Sequence, residues 1–264
     1  MIPTSIDGTD ITGATIDGTD VQEITVDGDV VFSGGFDPLI IDNFEDAPNG
    51  PYGGGDTLGD YWTVSNYSIS DWDRSTTNTI EGNRTLRWIS GDEGLQTLVS
   101  FDGDGLPNYP SKGQIFSGFV RTDSEDNNPV ILFGLDGTAT NFNCYGVRLY
   151  NFLNEIDILR FDNAGSVSSS FSTTLQDLSI TITDDEIYEM EVEWHDGTGN
   201  ESDNTIVYTV YNVNQSTLAR TGTFASIQAN DSNYPNDSGV GFGFVAGRTV
   251  DKSVFDQFRI IGNV

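Results

Sequence analysis

The sequence predicts an all-β protein, an antiparallel two-sheet jelly-roll sandwich behind a short N-terminal β-repeat arm. Three observations predict it. Apolar and polar residues run in short stretches with no helical period beyond a turn. Clusters of Gly, Asn, Asp and Pro punctuate those stretches at a spacing of roughly 8–12 residues, the pattern of a sandwich or barrel. The first 32 residues repeat a strand-turn-strand unit with a period of ten.

The repeat comes first. Ile6-Asp7-Gly8-Thr9-Asp10-Ile11 recurs as Ile16-Asp17-Gly18-Thr19-Asp20-Val21 and, degenerate, as Val26-Asp27-Gly28-Asp29-Val30. Asp-Gly between β-branched residues signals a tight hairpin, because such a turn needs positive φ at its centre. The segment carries seven acids and no base, and apart from Phe32 its apolar side chains are aliphatic. That is too little for a core of its own. Ile6, Ile11, Ile16, Val21, Val26 and Val30 are therefore expected to bury themselves against further copies or a docking partner, with three-fold association favoured. Residues 1–35 are the predicted anchoring and oligomerisation arm; Ser33-Gly34-Gly35 ends it, and residues 36–264 form the jelly roll.

Strands are predicted at Leu39–Phe44, Tyr61–Ser65, Thr85–Ile89, Gln96–Phe101, Gln114–Arg121, Val130–Leu135, Tyr145–Tyr150 and Ile156–Phe161. Further strands are predicted at Val167–Ser172, Tyr188–His195, Ile206–Asn212, Leu218–Phe224, Val240–Val245 and Phe255–Ile261. The run Glu189-Met190-Glu191-Val192-Glu193-Trp194 alternates strictly, which places its apolar side chains inward and its three acids on a solvated face. Cys144, the single cysteine, sits in an aromatic run and reads as a small buried hydrophobe. Trp62, Trp88 and Trp194 fall on strands and read as core.

Charge narrows the function classes. There are 41 Asp and Glu against 11 Lys and Arg, a formal charge of −30. Nucleic acid needs cations to meet its phosphates, and anionic membrane surfaces need the same, so neither is an expected partner. No apolar run is long enough for a membrane helix. The acids are 30 Asp and 11 Glu, and only Lys112 and Lys252 are lysines. Such a surface repels itself in dilute buffer, whereas in molar salt the Debye length shrinks to about 3 Å. The expected setting is near-saturated salt. Residues 1–5 lack the basic patch and apolar stretch of a secretory signal.

The order of motifs resembles the concanavalin A-like, laminin-G-type jelly rolls. The carriers are Ile40-Ile41-Asp42-Asn43-Phe44-Glu45-Asp46, Tyr145-Gly146-Val147-Arg148-Leu149 and Tyr188-Glu189-Met190-Glu191-Val192-Glu193-Trp194, closing on Gly239-Val240-Gly241-Phe242-Gly243 and Val254-Phe255-Asp256-Gln257-Phe258-Arg259-Ile260. The Ile-Asp-Gly-Thr repeats ahead of such a domain resemble the leading segments of surface proteins from haloarchaeal tailed viruses. That resemblance implies a virion surface location, release by lysis, and capsid or tail proteins as partners.

The sharpest enzymatic motif is Glu155-Ile156-Asp157-Ile158-Leu159-Arg160. It resembles the Glu-Ile-Asp-Ile-x-Glu strand of laminarinase-like glucanases, where retaining hydrolysis needs two carboxyl groups about 5–5.5 Å apart. Arg160 stands where the acid/base belongs and cannot transfer a proton. His195 is the only histidine, and no Gly-x-Ser-x-Gly elbow accompanies it. No catalytic residue is therefore assigned. Asp42 and Glu45 on the first strand and Asp256 on the last are candidate ligands for a structural Ca²⁺, as related carbohydrate-binding modules imply. For sugar, aromatic faces beside planar amides are needed. The candidates in expected loops are Tyr52, Trp72, Tyr109 and Tyr234, with Asn108, Asn233 and Asn236.

Together these readings predict a non-enzymatic virion surface protein, a turret, decoration or tail fibre that touches host surface glycans. A stand-alone carbohydrate-binding lectin or adhesin is the first alternative, and a laminarinase-like glycoside hydrolase the second.

Overall fold

The structure, a computed structural model, describes residues 5–6, 9–10, 15–16, 19–20, 23–26, 29–33, 38–44, 50–51, 62–64, 72–75, 79–80, 82, 85–88, 95–122, 129–164, 172–231, 239, 241–247 and 254–264. Side chains are described from residue 38 onward, except at 50–51, 64, 73–75, 88, 95–96 and 247. The chain divides into two compact units, Met1–Pro38 and Leu39–Val264. Among the described residues there is no helix, so none is long and apolar enough to cross a membrane.

The first unit is three antiparallel two-stranded hairpins. β1 (Ser5–Ile6) pairs β2 (Thr9–Asp10), β3 (Thr15–Ile16) pairs β4 (Thr19–Asp20), and β5 (Glu23–Val26) pairs β6 (Asp29–Ser33). Ile6 faces Thr9 and Ile16 faces Thr19, so the ten-residue sequence period is also the period of the pairing. Val26 pairs Asp29 and Val30 pairs Thr25, whereas Ile11 and Val21 lie outside the described residues.

The second unit holds the remaining strands: β7 (Leu39–Asp42), β8 (Gly50–Pro51), β9 (Thr63–Val64), β10 (Trp72–Ser75), β11 (Thr85–Trp88), β12 (Leu95–Ser100), β13 (Gln114–Arg121) and β14 (Val130–Thr138). These are followed by β15 (Asn141–Tyr150), β16 (Glu155–Ala164), β17 (Ser172–Ser179), β18 (Ile187–Trp194), β19 (Thr205–Val213), β20 (Arg220–Asn230), β21 (Gly241–Gly247) and β22 (Val254–Asn263). One sheet has nine strands in the order β20-β19-β18-β13-β22-β11-β10-β8, with β7 also on β22; the other has seven, β17-β16-β15-β14-β21-β12-β9. Every described pairing is antiparallel, which is the predicted two-sheet jelly roll.

Aromatic rings fill the space between the sheets. Phe116 and Trp194 of the nine-stranded sheet meet Phe133 of the seven-stranded sheet at 5.2 and 5.3 Å, and Phe255 and Phe258 meet Phe244 at 4.9 and 4.8 Å. Each fully buried ring contributes about 1.5–3 kcal/mol from transfer alone. Gly118 is required here, since a Cβ on it would stand 2.3 Å from the Phe258 ring.

Side chains alternate across a strand, so Val130, Leu132, Cys144, Leu159 and Phe161 point away from that core, to the outer face of the seven-stranded sheet. They are buried all the same, with Val99 and Val245, in a second hydrophobic layer. Cys144 is the buried small hydrophobe its surroundings in sequence suggest, and burial pushes its thiol pKa well up.

Two expectations need correction. Trp72 belongs to a strand rather than a loop; it is fully buried and packs on Phe255 at 6.5 Å. The strand expected at Val167–Ser172 lies, apart from Ser172, outside the described residues; β17, from Ser172 on, is an edge strand that the sequence did not predict, its mostly exposed side chains carrying no alternating signal. The acids of β18 are not simply solvated: Glu189 and Glu191 are only 4% and 7% exposed.

Candidate functional site

The loop between β12 and β13 is built by its own side chains. Phe101 and Asp104 close a turn reciprocally, the Asp104 amide donating to the Phe101 carbonyl (2.9 Å) and the Phe101 amide donating to Asp104 Oδ2 (2.8 Å). Gly103 and Gly105 take φ of +94° and +108°, a region that favours glycine. The chain then returns, and the Tyr109 hydroxyl meets Ser100 Oγ at 2.8 Å, the end of the strand it left. Asn108 Nδ2 donates to the Ile40 carbonyl on β7 (2.7 Å), which ties the loop to the neighbouring sheet edge. Ser111 donates from its amide and hydroxyl to Gln114 Oε1, and the Gly113 amide donates to the Trp194 carbonyl.

This pinned loop borders a wide-open cavity of about 530 Å³, lined among others by Asp102, Leu106, Pro107, Asn108, Tyr109 and Ser111. Asp102 and Pro107 are exposed, Asn108 and Tyr109 half-buried, and Leu106 buried. The lining offers a carboxylate, an amide and a hydroxyl beside an aromatic ring and aliphatic surface. Such a wall can hydrogen-bond the hydroxyls of a polyol and cover its C–H faces. It brings no nucleophile and base together.

Of the predicted sugar-binding residues, the structure brings Asn108 and Tyr109 together in this cavity and removes Trp72 to the core. Tyr52, Tyr234, Asn233 and Asn236 lie outside the described residues. Asp102, Leu106, Pro107 and Ser111 were missed; the Asp-Gly-Asp-Gly turn that begins at Asp102 and precedes the other three was their only visible signal.

Two of the three calcium candidates, Asp42 and Asp256, are described, and among the described residues no group of three or more metal-ligating Asp, Glu, His or Cys is found. Asp42 accepts from the Phe44 amide (2.7 Å) and from Trp62 Nε1 (2.8 Å). Asp256 is fully buried and accepts from the Gln257 amide (2.8 Å). Glu45 lies outside the described residues.

The glucanase-like strand is β16. Glu155 and Asp157 pair with Tyr150 and Arg148 on the outer face of the seven-stranded sheet. Arg148 Nε donates to Asp157 (2.6 Å), its Nη2 stands 3.6 Å from Glu155, and its guanidinium lies 4.1 Å over the Tyr150 ring. Burial, more than the neighbouring acids, raises the pKa of both carboxyls. Arg160 is of the other parity and points to the opposite face, where it binds Asp231. The position that lacks an acid also faces away from the two acids that remain.

On the outer face of the nine-stranded sheet, Arg220 holds both oxygens of Glu189, at 2.6 and 2.9 Å, and also Glu191. It stacks 3.9 Å over the Tyr211 ring, whose hydroxyl donates to Glu191 Oε1 (2.9 Å). Burial and that hydrogen bond push the Tyr211 pKa up to about 12, so the phenol stays a donor. Two adjacent buried carboxylates are thus held by one guanidinium fork.

No family model matches the chain, and no curated protein matches it in sequence. Solved structures do share its fold. A PL-14 alginate lyase from Aplysia kurodai is 14% identical with a TM-score of 0.54, the match covering 85% of this chain and 99% of that one. A mutant of the Emp46p carbohydrate recognition domain is 10% identical with a TM-score of 0.52, covering 85% and 96%. The carbohydrate-binding module CBM66 from Bacillus subtilis is 16% identical with a TM-score of 0.47, covering 75% and 92%. The fold of this chain is the two-sheet antiparallel jelly roll that the first two of these structures share.

Proposed function

We propose that this chain is a non-enzymatic glycan-binding surface protein, its jelly roll recognising saccharide at the 101–113 loop and its hairpin arm joining an assembly. The observation that carries the binding role is the cavity in which Asn108 and Tyr109 meet beside Asp102. Two structural neighbours with the higher TM-scores are named for a carbohydrate recognition domain and an alginate lyase, both of which engage polysaccharide or glycan. The absence of catalysis rests on Arg160, which faces away from Glu155 and Asp157. The assembly in question is a virion capsid or tail in a high-salt setting, as the repeat arm and the charge suggest, with three-fold association and host surface glycans as target.

Glycan-array binding of the full chain in 3 M NaCl is the test of the first part. Binding that drops at least tenfold in Asn108→Ala at an unchanged melting temperature supports the site; unaltered binding overturns it. Hydrolysis of a β-glucan that disappears in Glu155→Gln would restore the hydrolase reading. For the arm, removal of residues 1–33 is expected to abolish incorporation into particles, and normal incorporation refutes anchoring.

A further inference from the structure

Cations are scarce in this chain, and those whose side chains are described are almost all engaged. Lys112 binds Asp203, Arg148 binds Asp157, Arg160 binds Asp231, and Arg220 binds Glu189 and Glu191; Arg87 and Arg121 also have partners. Arg259 is the exception among cations whose side chains are described. It makes no ion pair; its Nε is buried without a hydrogen-bond partner, as are those of Arg87 and Arg121, but unlike theirs its guanidinium has no partner elsewhere among the described residues. A guanidinium without a counter-charge on so acidic a chain invites an explanation.

Its position supplies one. Phe258 and Ile260 point into the core between the sheets, so Arg259 between them stands on the outer face of the nine-stranded sheet, partly exposed. It pairs across β22 with Ser117 on one side and with Ile40 on the other. Glu191 lies beyond Ser117 and is already committed to Arg220 and Tyr211. Ile40 is 46% exposed, a large aliphatic side chain on an otherwise acid-rich surface. Its carbonyl is the one that Asn108 of the cavity loop grips. The exposed isoleucine and the unpaired guanidinium therefore stand on adjacent strands, about 4.8 Å apart in that direction, and the cavity loop is bonded to the backbone of the first.

We propose that Arg259 is the anion-recognising residue of the glycan site, and that the saccharide taken there carries a carboxylate, as a uronate does. This rests on the glycan-binding reading of the 101–113 loop. A sugar ring seated at Asn108 lays its C–H face over Ile40 and presents its carboxylate to the planar guanidinium, which matches a carboxylate with two parallel hydrogen bonds. The chain's own negative charge does not prevent this in molar salt, where charges beyond about 3 Å are screened and only contact pairs count.

The test compares trigalacturonate with the same trisaccharide after its carboxyls are reduced to hydroxymethyl groups, by calorimetry on the full chain in 3 M NaCl. Wild type is expected to favour the uronate at least tenfold. Arg259→Gln should erase that preference while leaving affinity for the reduced sugar unchanged, and Arg259→Lys should restore part of it, at melting temperatures close to wild type. Equal affinity of wild type for both sugars, or a preference that survives in Arg259→Gln, overturns acid recognition and leaves the glycan reading standing. Binding of neither sugar, nor of any array glycan, overturns both.

Discussion

Arg160 reaches from one sheet to the other to hold Asp231. Its Nη1 stands 3.0 and 3.2 Å from the two carboxylate oxygens, while its Nε binds Asp162 at 3.0 Å. Arg160 lies on β16 and Asp231 directly follows β20, so the pair clasps the edge where those two strands pack. The Tyr145 hydroxyl contributes a third contact to the same carboxylate at 3.4 Å. Burial, reinforced by the Asp231 charge, keeps that phenol protonated.

Removing the cation leaves Asp231 buried, at 3% exposure, without the guanidinium that meets both its oxygens. Losing one member of such a pair costs about 3–5 kcal/mol. Arg160→Ala is expected to lower the urea midpoint in 3 M NaCl accordingly. A midpoint equal to wild type would show that the clasp contributes nothing to the fold.

Gly118→Ala tests the packing between the sheets. Phe258 cannot retreat from the new methyl, because its ring already meets Phe242 at 5.7 Å and Phe244 at 4.8 Å. Overpacking of this kind costs about 1–3 kcal/mol. Gly222→Ala is the control, since a Cβ there meets nothing within 4 Å. Equal melting temperatures for the two variants would contradict the close approach.

Acidity acts through Glu155 and Asp157. Both pKa values are raised above their ordinary 4.5 and 3.8, chiefly by burial. A carboxyl raised on folding favours the folded state when protonated. Its contribution is complete below the ordinary value and is lost as pH rises through the raised one. Wild type in 3 M NaCl should therefore gain stability as pH falls from 7 toward 4. Asp157→Asn, which cannot ionise, should gain less over the same range. Parallel melting curves for the two proteins would refute the link.

Salt should act more broadly. With a formal charge of −30, the melting temperature is expected to fall steeply as NaCl is lowered from about 3 M toward about 0.1 M, where the Debye length returns to about 10 Å. Full rescue by millimolar Ca²⁺ in wild type but not in Asp256→Ala would instead assign that stability to a metal site.

Strand positions were legible where a short apolar run is bounded by turn residues. Gln114–Arg121 begins and ends as its pattern predicts, a run buried from Phe116 to Val120 that follows the turn glycine Gly113. β17 was missed beyond Ser172 because Ser172–Ser179 is an exposed edge with nothing to alternate. Trp72 misled for a different reason. It sits between Asp71 and Asp73, which read as a polar loop, yet pairing with β11 buries the indole completely. Part of the candidate site was visible as an Asn-Tyr pair in a turn-rich segment. Arg259 was not, because its distinction is the lack of a partner, and partners are a property of three dimensions.

The seven-stranded sheet has hydrocarbon on both sides: the aromatic core beneath, and Val130, Leu132, Cys144 and Phe161 in the layer above. Water thus has no dry-to-wet frontier along its central strands. Deuterium should enter the amides of Val130–Phe133 and Cys144–Val147 last, by opening of the whole unit rather than by local breathing. A board so stiff cannot bend to fit a ligand, which leaves accommodation to the nine-stranded sheet and its loops.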